Sequence, residues 1–180
     1  DISGADLRNK AVISASLAFN GLVNADIPMA GIERVTHADI ERHLAEGYHL
    51  RLMMLARRAG DRYAAGVVPI RVSASSIPAN IHNNLNYGAL KGDLVGLLTL
   101  TGQGAGGHPT ANAMIQDLIS INRGTAENTQ LNHTLTYDPT LLCGTGFFSD
   151  ETIAGRPLAE LVRIAHEKQS FLAFEPEVLE

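Results

Sequence analysis

The chain has 180 residues, of which 45% are hydrophobic and 18% are charged, and its formal net charge is −5. This composition suits one ordinary globular domain with a sizeable core, and the lack of a lysine- and arginine-rich stripe argues against a nucleic-acid partner. No apolar stretch approaches the ~20 residues needed to cross a bilayer, so no membrane association is expected.

The first predicted helix begins in the opening segment DISGADLRNK. Ser3 and Asp6 have the S-x-x-D spacing of a capping box, which predicts a helix start at Gly4 or Ala5. Asp6 and Lys10 are four residues apart, so on a helix they lie on one face within reach of each other.

We expect this helix to end near Asn20 and a second helix to follow in THADIERHLAEG. Thr36 and Asp39 form a second possible capping box, and Gly47 is a typical stop signal at the carboxyl end.

Two strands are predicted next, in YHLRLMMLARRAG and YAAGVVPIRVSA. The first segment alternates, with Leu50, Leu52 and Met54 on one side, although a helix stays possible because arginine, leucine and methionine favour helices. The second segment is rich in β-branched residues, and Pro69 within it indicates an edge strand or a break.

The second half of the chain mixes the same elements. DLVGLLTLTG, residues 93–102, predicts a strand, and PTANAMIQDLISI predicts an amphipathic helix with Pro109 in its permitted first turn. A short strand around His133–Tyr137, a glycine-rich connection and a helix in GRPLAELVRIAHEK complete the pattern, which indicates one α+β or α/β domain.

The segment TLTGQGAGGHPTA contains G-x-G-x-x-G at Gly102, Gly104 and Gly107, between a predicted strand and a predicted helix. This is the local context of a dinucleotide-binding fingerprint. Pro109 follows at once and few residues remain to build a parallel sheet, which argues against a complete Rossmann domain here. The alternatives are a turn that needs positive φ, or a loop that closes on a ligand held mostly by another domain.

Two segments carry a resemblance to a known family. The opening pattern D-x-x-G-x-D-x-x-x-K is formed by Asp1, Gly4, Asp6 and Lys10. The pattern G-x-G-A-G-x-x-P-T-A-x-A is formed by Gly102, Gly104, Ala105, Gly106, Pro109, Thr110, Ala111 and Ala113. In this order the two patterns resemble the homoserine dehydrogenase family. Between them, ANIHNNLNYG is similar to the family's A-x-V-x-G-x-x-N-A, with Asn83 where glycine is usual, and the resemblance covers roughly residues 1–121.

The resemblance implies an α/β fold of the α+β type, a mixed β-sheet with helices packed on one face. Residues 1–124 are then the catalytic and substrate-binding domain, and residues 125–180 a C-terminal extension packed on the same domain. It also implies an N-terminal NAD(P)-binding Rossmann domain before this chain, so that the chain starts inside the substrate-binding motif. We therefore expect a homodimer, and little or no activity from the chain without that domain.

The reaction implied by the resemblance interconverts L-homoserine and L-aspartate 4-semialdehyde with NAD or NADP, in threonine and methionine biosynthesis. Lys10 is the expected acid/base group, because the hydroxyl proton must leave as hydride leaves carbon. Asp6 would orient Lys10 or the substrate, and Asp1 would pair with the substrate ammonium. The residues expected at the nicotinamide end of the cofactor are Gly102, Gly104, Ala105 and Gly106.

Other interpretations stay open. Asp6 and Lys10 can be an exposed ion pair of ~0.3–0.5 kcal/mol, and the chain can be a non-catalytic dimerisation or regulatory module or serve a different hydroxy or keto substrate. His37, His43 and His49 recur every six residues, so we expect surface histidines and no metal site. The single cysteine, Cys143, is expected to be a small buried hydrophobe in a reducing, cytoplasmic setting.

Overall fold

The computed structural model describes residues 2–125 and 130–177. They form two compact units, Asp1–Ala74 with Gln130–Glu180, and Ser75–Thr129. The helices are α1 (Ala5–Phe19), α2 (His37–Ala45), α3 (Gly107–Asn122) and α4 (Leu158–Lys168). The strands are β1 (Tyr48–Ala59), β2 (Arg62–Ser73), β3 (Leu85–Gly92), β4 (Gly96–Gln103), β5 (Thr136–Tyr137), β6 (Cys143–Phe147), β7 (Thr152–Pro157) and β8 (Ala173–Pro176). Among the described helices, none has the length and apolar character to cross a membrane.

The first unit is built on one mixed sheet. Its strands run in the order β1-β2-β8-β6-β7, and β5 also pairs with β2. The β2 strand is parallel to β5 and β8, whereas β1–β2, β6–β7 and β6–β8 are antiparallel. The predicted α/β class with a mixed sheet is confirmed.

The β2 strand forms the centre of the core, because side chains from both of its faces are buried. On one face, Ala64, Val68 and Ile70 pack with the apolar side of α4, and on the other, Tyr63, Ala65 and Val67 pack with α1. Since successive side chains of a strand point to opposite faces, the helices lie on both faces of β2. The expectation of helices on one face of the sheet is therefore wrong, because such an arrangement would leave the buried side chains of the other face of β2 exposed to water.

Pro69 lies inside β2, so the predicted edge position or break is wrong. The strand continues through Pro69, which pairs with Leu52 of β1 and is fully buried. On the edge of β2 that faces away from β1, the Val67 N–H donates to the Pro28 carbonyl, and Ile70 pairs with Phe174 of β8. Pro69 lies between these two pairings. The missing N–H of this proline therefore costs β2 no hydrogen bond on that edge.

The start of α1 is correctly predicted at Ala5, but the predicted capping box is wrong. Gly4 is the N-cap residue, with φ of 85°, and no side chain caps the helix. The Ser3 hydroxyl accepts a long 3.4 Å bond from the Ala5 N–H, and the Asp6 carboxylate faces Lys10 instead of the backbone. The helix ends at Phe19, before Asn20 in the left-handed region, as predicted.

The capping box of α2 is confirmed. The Asp39 N–H donates to the Thr36 hydroxyl at 3.2 Å, and the Thr36 N–H donates to the Asp39 carboxylate at 3.0 Å. Gly47 follows the helix with φ of 83°. The prediction that His43 is a surface residue is wrong, because it lies on the inward face of α2 and only 1% of it is exposed.

The second unit holds an antiparallel hairpin, β3–β4, and α3. The strand predicted from Asp93 begins at Gly96, because residues 93–95 form the turn before a glycine with φ of 68°. Helix α3 is confirmed, and none of its residues is buried.

The segment after residue 130 adds four strands and α4 to the first unit. The predicted glycine-rich connection contains β6, where a side chain on Gly144 would collide with the Glu175 carbonyl of the neighbouring β8. These glycines thus permit close strand packing rather than a loop. The functional division at residue 124 stays a prediction.

Candidate functional site

The glycine of the opening pattern is fixed by packing and by backbone conformation. Gly4 is buried, and a Cβ there would lie 3.3 Å from Cγ1 of Val67 and 3.4 Å from Cγ of Met29. Its φ of 85° is in the left-handed region, which favours glycine. The Ile32 N–H donates to the Ile2 carbonyl at 2.8 Å and ties down the turn before α1. The start of α1 is therefore set by the first unit's core.

Asp6 and Lys10 form an ion pair on the outer face of α1. The Lys10 Nζ lies 2.7 Å from the Asp6 carboxylate, and the two side chains are 60% and 54% exposed. Their i,i+4 spacing brings them together as the sequence predicts. The third member of the pattern, Asp1, lies outside the described residues.

The glycine segment is hydrogen-bonded to Asn84, which directly precedes β3, and it lies beside Asn86 of β3. The Gly104 N–H donates to the Asn84 carbonyl at 2.8 Å, and the Asn84 Nδ2 donates to the Ala105 carbonyl at 2.9 Å. A Cβ at Gly104 would collide with the carboxamide of Asn86. Gly104 therefore leaves room for the exposed Asn86 side chain beside the loop. The alternative of a turn that needs positive φ does not apply at Gly104, whose φ is not positive.

The end of the loop exposes the amino terminus of α3. Gly106 is the N-cap residue, with φ of 124°, and no side chain caps the helix. The N–H groups of Gly107 and His108 thus have no side-chain acceptor, whereas Pro109 has no N–H to satisfy. Residues 101–108 are all exposed. Uncapped amides and the helix dipole favour an anionic or polar group at this point.

The contacts of Asn84 and Asn86 with the glycine segment are not predicted from the sequence. The only signal is Asn86, which occupies the asparagine of the looser middle pattern. The structure also explains why Asn83 can replace the usual glycine. Its φ is 59°, in the left-handed region that asparagine tolerates better than most residues.

The structure brings Asp6 and Lys10 together in the first unit, and the glycine segment together with its two asparagines in the second. Within the part of the chain that the structure describes, no three histidine, cysteine, aspartate or glutamate side chains are grouped to hold a metal ion.

Cys143 is half-buried in β6, and its thiol donates to the Thr140 carbonyl at 3.4 Å. Burial is the main cause that raises the pKa of this thiol, and the negative charges of Glu177 and Asp138 add to it. The thiolate is therefore disfavoured, as expected for a structural cysteine rather than a nucleophile.

Comparisons with known proteins agree on one family. A model of the homoserine dehydrogenase family matches residues 1–119. The chain is 32% identical to the homoserine dehydrogenase of Pseudomonas aeruginosa over 124 residues, which is 68% of this chain and 29% of that protein. It is 36% identical to the homoserine dehydrogenase of Mycobacterium tuberculosis over 129 residues, again 68% of this chain and 29% of that protein. The chain thus spans about three tenths of the length of these curated relatives.

Solved structures give the same result for the fold. A homoserine dehydrogenase from Thiobacillus denitrificans superposes with a TM-score of 0.72 and 28% identity, over 82% of this chain and 37% of that chain. The Staphylococcus aureus homoserine dehydrogenase superposes with a TM-score of 0.70 and 20% identity, over 99% of this chain and 54% of that chain, which supports the fold alone. Since the family model covers well over half of the residues, the chain belongs to the homoserine dehydrogenase family.

Proposed function

We propose that this chain is the catalytic and dimer-forming region of a homoserine dehydrogenase, which interconverts L-homoserine and L-aspartate 4-semialdehyde with NAD or NADP. The observation that carries the proposal is the Asp6–Lys10 pair, held one turn apart on a helix whose start is fixed by the family's glycine. A non-catalytic dimerisation module would need neither the Asp6–Lys10 ion pair nor the glycine segment.

In this proposal Lys10 moves the proton of the substrate hydroxyl. Oxidation of an alcohol needs a base for the O–H proton, and reduction of the aldehyde needs the matching acid. The neutral amine of a lysine can accept the hydroxyl proton during oxidation, and the resulting ammonium can return it to the aldehyde oxygen during reduction. Asp6 holds the Lys10 ammonium at 2.7 Å and so fixes its position before the substrate arrives. Asp1 pairs with the substrate's own ammonium.

Gly102, Gly104, Ala105 and Gly106 face the nicotinamide end of the cofactor in this proposal. The exposed loop fits such a group, because it offers bare backbone and the uncapped amides of α3. The nicotinamide supplies the hydride acceptor when bound. The role of the loop is to approach it closely and to exclude water from that side.

The cofactor and the partners follow from the same proposal. A separate Rossmann domain binds the rest of the cofactor, two copies form a homodimer, and the single cysteine suits a reducing cytoplasm. To test the function, the full-length protein encoded by the parental gene is assayed for L-homoserine oxidation with NAD and with NADP. Turnover of L-homoserine, but not of the same alcohol without its amine, supports the proposal, and equal turnover of both contradicts the substrate assignment.

A non-catalytic dimerisation or regulatory module is the second candidate. It is favoured by the exposure of Asp6 and Lys10, which are paired with each other and more than half in solvent. In that case Lys10 only stabilises α1 through its ion pair with Asp6, and its replacement changes the free energy of unfolding by a few tenths of a kcal/mol.

A further inference from the structure

Helix α2 is attached to the first unit through an unusual buried side chain. Two of its nine side chains are buried, Asp39, which belongs to the capping box, and His43. The two aliphatic candidates, Ile40 and Leu44, are 39% and 46% exposed, and among the described residues the apolar core on either face of β2 includes none from α2. An amphipathic helix usually docks through several aliphatic side chains. In α2 a titratable ring occupies the position that faces the core.

His43 lies in an apolar slot between two phenylalanines from the C-terminal part of the chain. Its ring packs edge-to-face with Phe147 of β6 and with Phe171, which precedes β8, at centroid distances of 5.8 and 6.0 Å. Neither ring nitrogen has a hydrogen-bond partner among the described residues, although buried polar groups almost always have one. An imidazolium in this slot would bury a charge and two N–H donors without an acceptor.

The charged groups around the slot do not compensate a proton on His43. Arg42 of α2 and Arg71 of β2 are cations, and with burial, which is the main cause, they lower the pKa of His43. The carboxylates of Asp39 and Glu46 act in the opposite direction, but Asp39 lies 3.7 Å from Arg42 and Glu46 is paired with Arg71. On the side of β8, Glu175 also pairs with Arg71, at 3.2 Å.

The other attachments of α2 are polar and lie near the surface. The Arg42 guanidinium donates to the carbonyls of Phe148 and Ser149 in the β6–β7 turn, at 3.1 Å each. The Glu46 side chain, which pairs with Arg71 just after the helix, is 51% exposed. Exposed ion pairs contribute little to stability, so the buried ring of His43 is the main attachment of α2.

We propose that α2 is a pH-sensitive switch, docked on the first unit while His43 is neutral and released when His43 binds a proton. The imidazolium leaves the slot because water hydrates it outside and the two neighbouring arginines no longer repel it there. Release breaks the Arg42 bonds to the β6–β7 turn and exposes the rings of Phe147 and Phe171 to water. The switch is a property of the chain itself and does not rest on the proposed enzymatic function.

The direction of the pH effect follows from the two states of His43. In the released helix His43 has its ordinary pKa of 6.5, whereas in the docked helix the pKa is lower. Docking is therefore strongest above pH 6.5 and weakens as the pH falls below that value. Between pH 7.5 and 5.5 the docking equilibrium should weaken by up to about tenfold.

Hydrogen–deuterium exchange of the backbone amides tests the switch in the 180-residue chain at pH 7.5 and 5.5, with rates corrected for the intrinsic effect of pH. We expect the amides of α2 to be less protected than those of α4 at both pH values, because α2 opens by itself. Their protection should fall by up to about tenfold at pH 5.5, and His43→Leu should remove most of this fall. His37→Gln is the matched control, since His37 is an exposed histidine of the same helix, and it should behave like the parent.

Four outcomes would overturn the proposal. They are equal protection of α2 and α4 at both pH values, protection of α2 that does not fall at pH 5.5, a fall that persists in full in His43→Leu, and a fall that disappears in His37→Gln. If His43→Leu fails to fold, His43→Met places another uncharged side chain in the slot, and it should likewise remove most of the fall.

Discussion

Gly104 is the residue at which the family pattern has the clearest physical reason. Its neighbours in the loop include glycines with open space around them, but Gly104 lies directly against the Asn86 carboxamide. The sequence alone predicts a glycine-rich turn here and gives every glycine of the loop the same role. It does not distinguish Gly104 from the others, because the neighbour of Gly104, Asn86, is on another strand.

We expect Gly104→Ala to lower the free energy of unfolding by less than about 1 kcal/mol, because the added methyl group displaces the carboxamide of Asn86, an exposed side chain that can rotate away. Chemical denaturation monitored at the hairpin measures this. Gly88→Ala is the control, since a Cβ at Gly88 has nothing within 4 Å, and it should have little effect. Equal effects of both changes would refute the contact.

His43 shows how a residue can be missed when its environment is non-local. It is packed edge-to-face against Phe147 and Phe171, with ring centroids 5.8 and 6.0 Å away, and both ring nitrogens are without a hydrogen-bond partner among the described residues. Burial is the main cause that lowers its pKa from 6.5, and the positive charges of Arg42 and Arg71 add to it. The nearby Glu46 and Asp39 act in the opposite direction.

This lowered pKa predicts acid sensitivity. The unfolded chain binds a proton near pH 6.5, whereas folded His43 resists protonation, so stability is full above that pH and falls as the pH drops below it, by up to about 1.4 kcal/mol per pH unit. Unfolding curves at pH 7.5 and 5.5 measure the effect. His43→Leu should reduce the difference between them, and an unchanged difference would show that other groups are responsible.

At the scale of elements, sequence motifs correctly predict helix ends where the hydrogen bonds involved join residues close together in the sequence. The Thr36–Asp39 box forms α2 as predicted. The same spacing at Ser3–Asp6 fails, because Gly4 takes the N-cap position in a conformation set by Val67 and Met29. Strand β6 could not be predicted, since its Gly144, which favours a loop in the sequence, is packed against the neighbouring strand β8.

Thr36→Ala should destabilise the protein by about 1 kcal/mol through the loss of the α2 cap. Ser3→Ala should cost clearly less, because the Ser3 hydroxyl accepts only a 3.4 Å bond and caps no helix. Denaturant midpoints of the two variants give the comparison. A Ser3 variant as unstable as the Thr36 variant would mean that the first box also forms.

For the whole molecule, composition and pattern correctly predict a mixed α/β fold, but not its connections. The β8 strand comes from the end of the described chain and lies between β2 and β6. This strand order depends on pairing between segments that are distant in the sequence, and the hydrophobic periodicity of a single segment does not show which strand it pairs with. The same holds for Pro69. Its place in a central strand is possible because the neighbours of β2 on that edge, Pro28 and β8, pair with Val67 and Ile70 and not with Pro69.

The candidate site was predicted in part. Spacing on a helix was enough to pair Asp6 with Lys10. The role of Asn84 depends on Ala105, which is 21 residues away in the sequence. Such a contact can be recognised only in the folded chain.

The most direct test of the account is turnover of L-homoserine by the full-length protein with Lys10→Ala. We expect kcat to fall by at least about 100-fold with the fold intact, because the proton-transfer group is lost. Arg156→Ala, which removes an exposed ion pair with Glu160, should leave kcat unchanged. If Lys10→Ala keeps kcat within about twofold of the parent while circular dichroism and stability are unaltered, Lys10 is not the acid/base group and the central claim is contradicted.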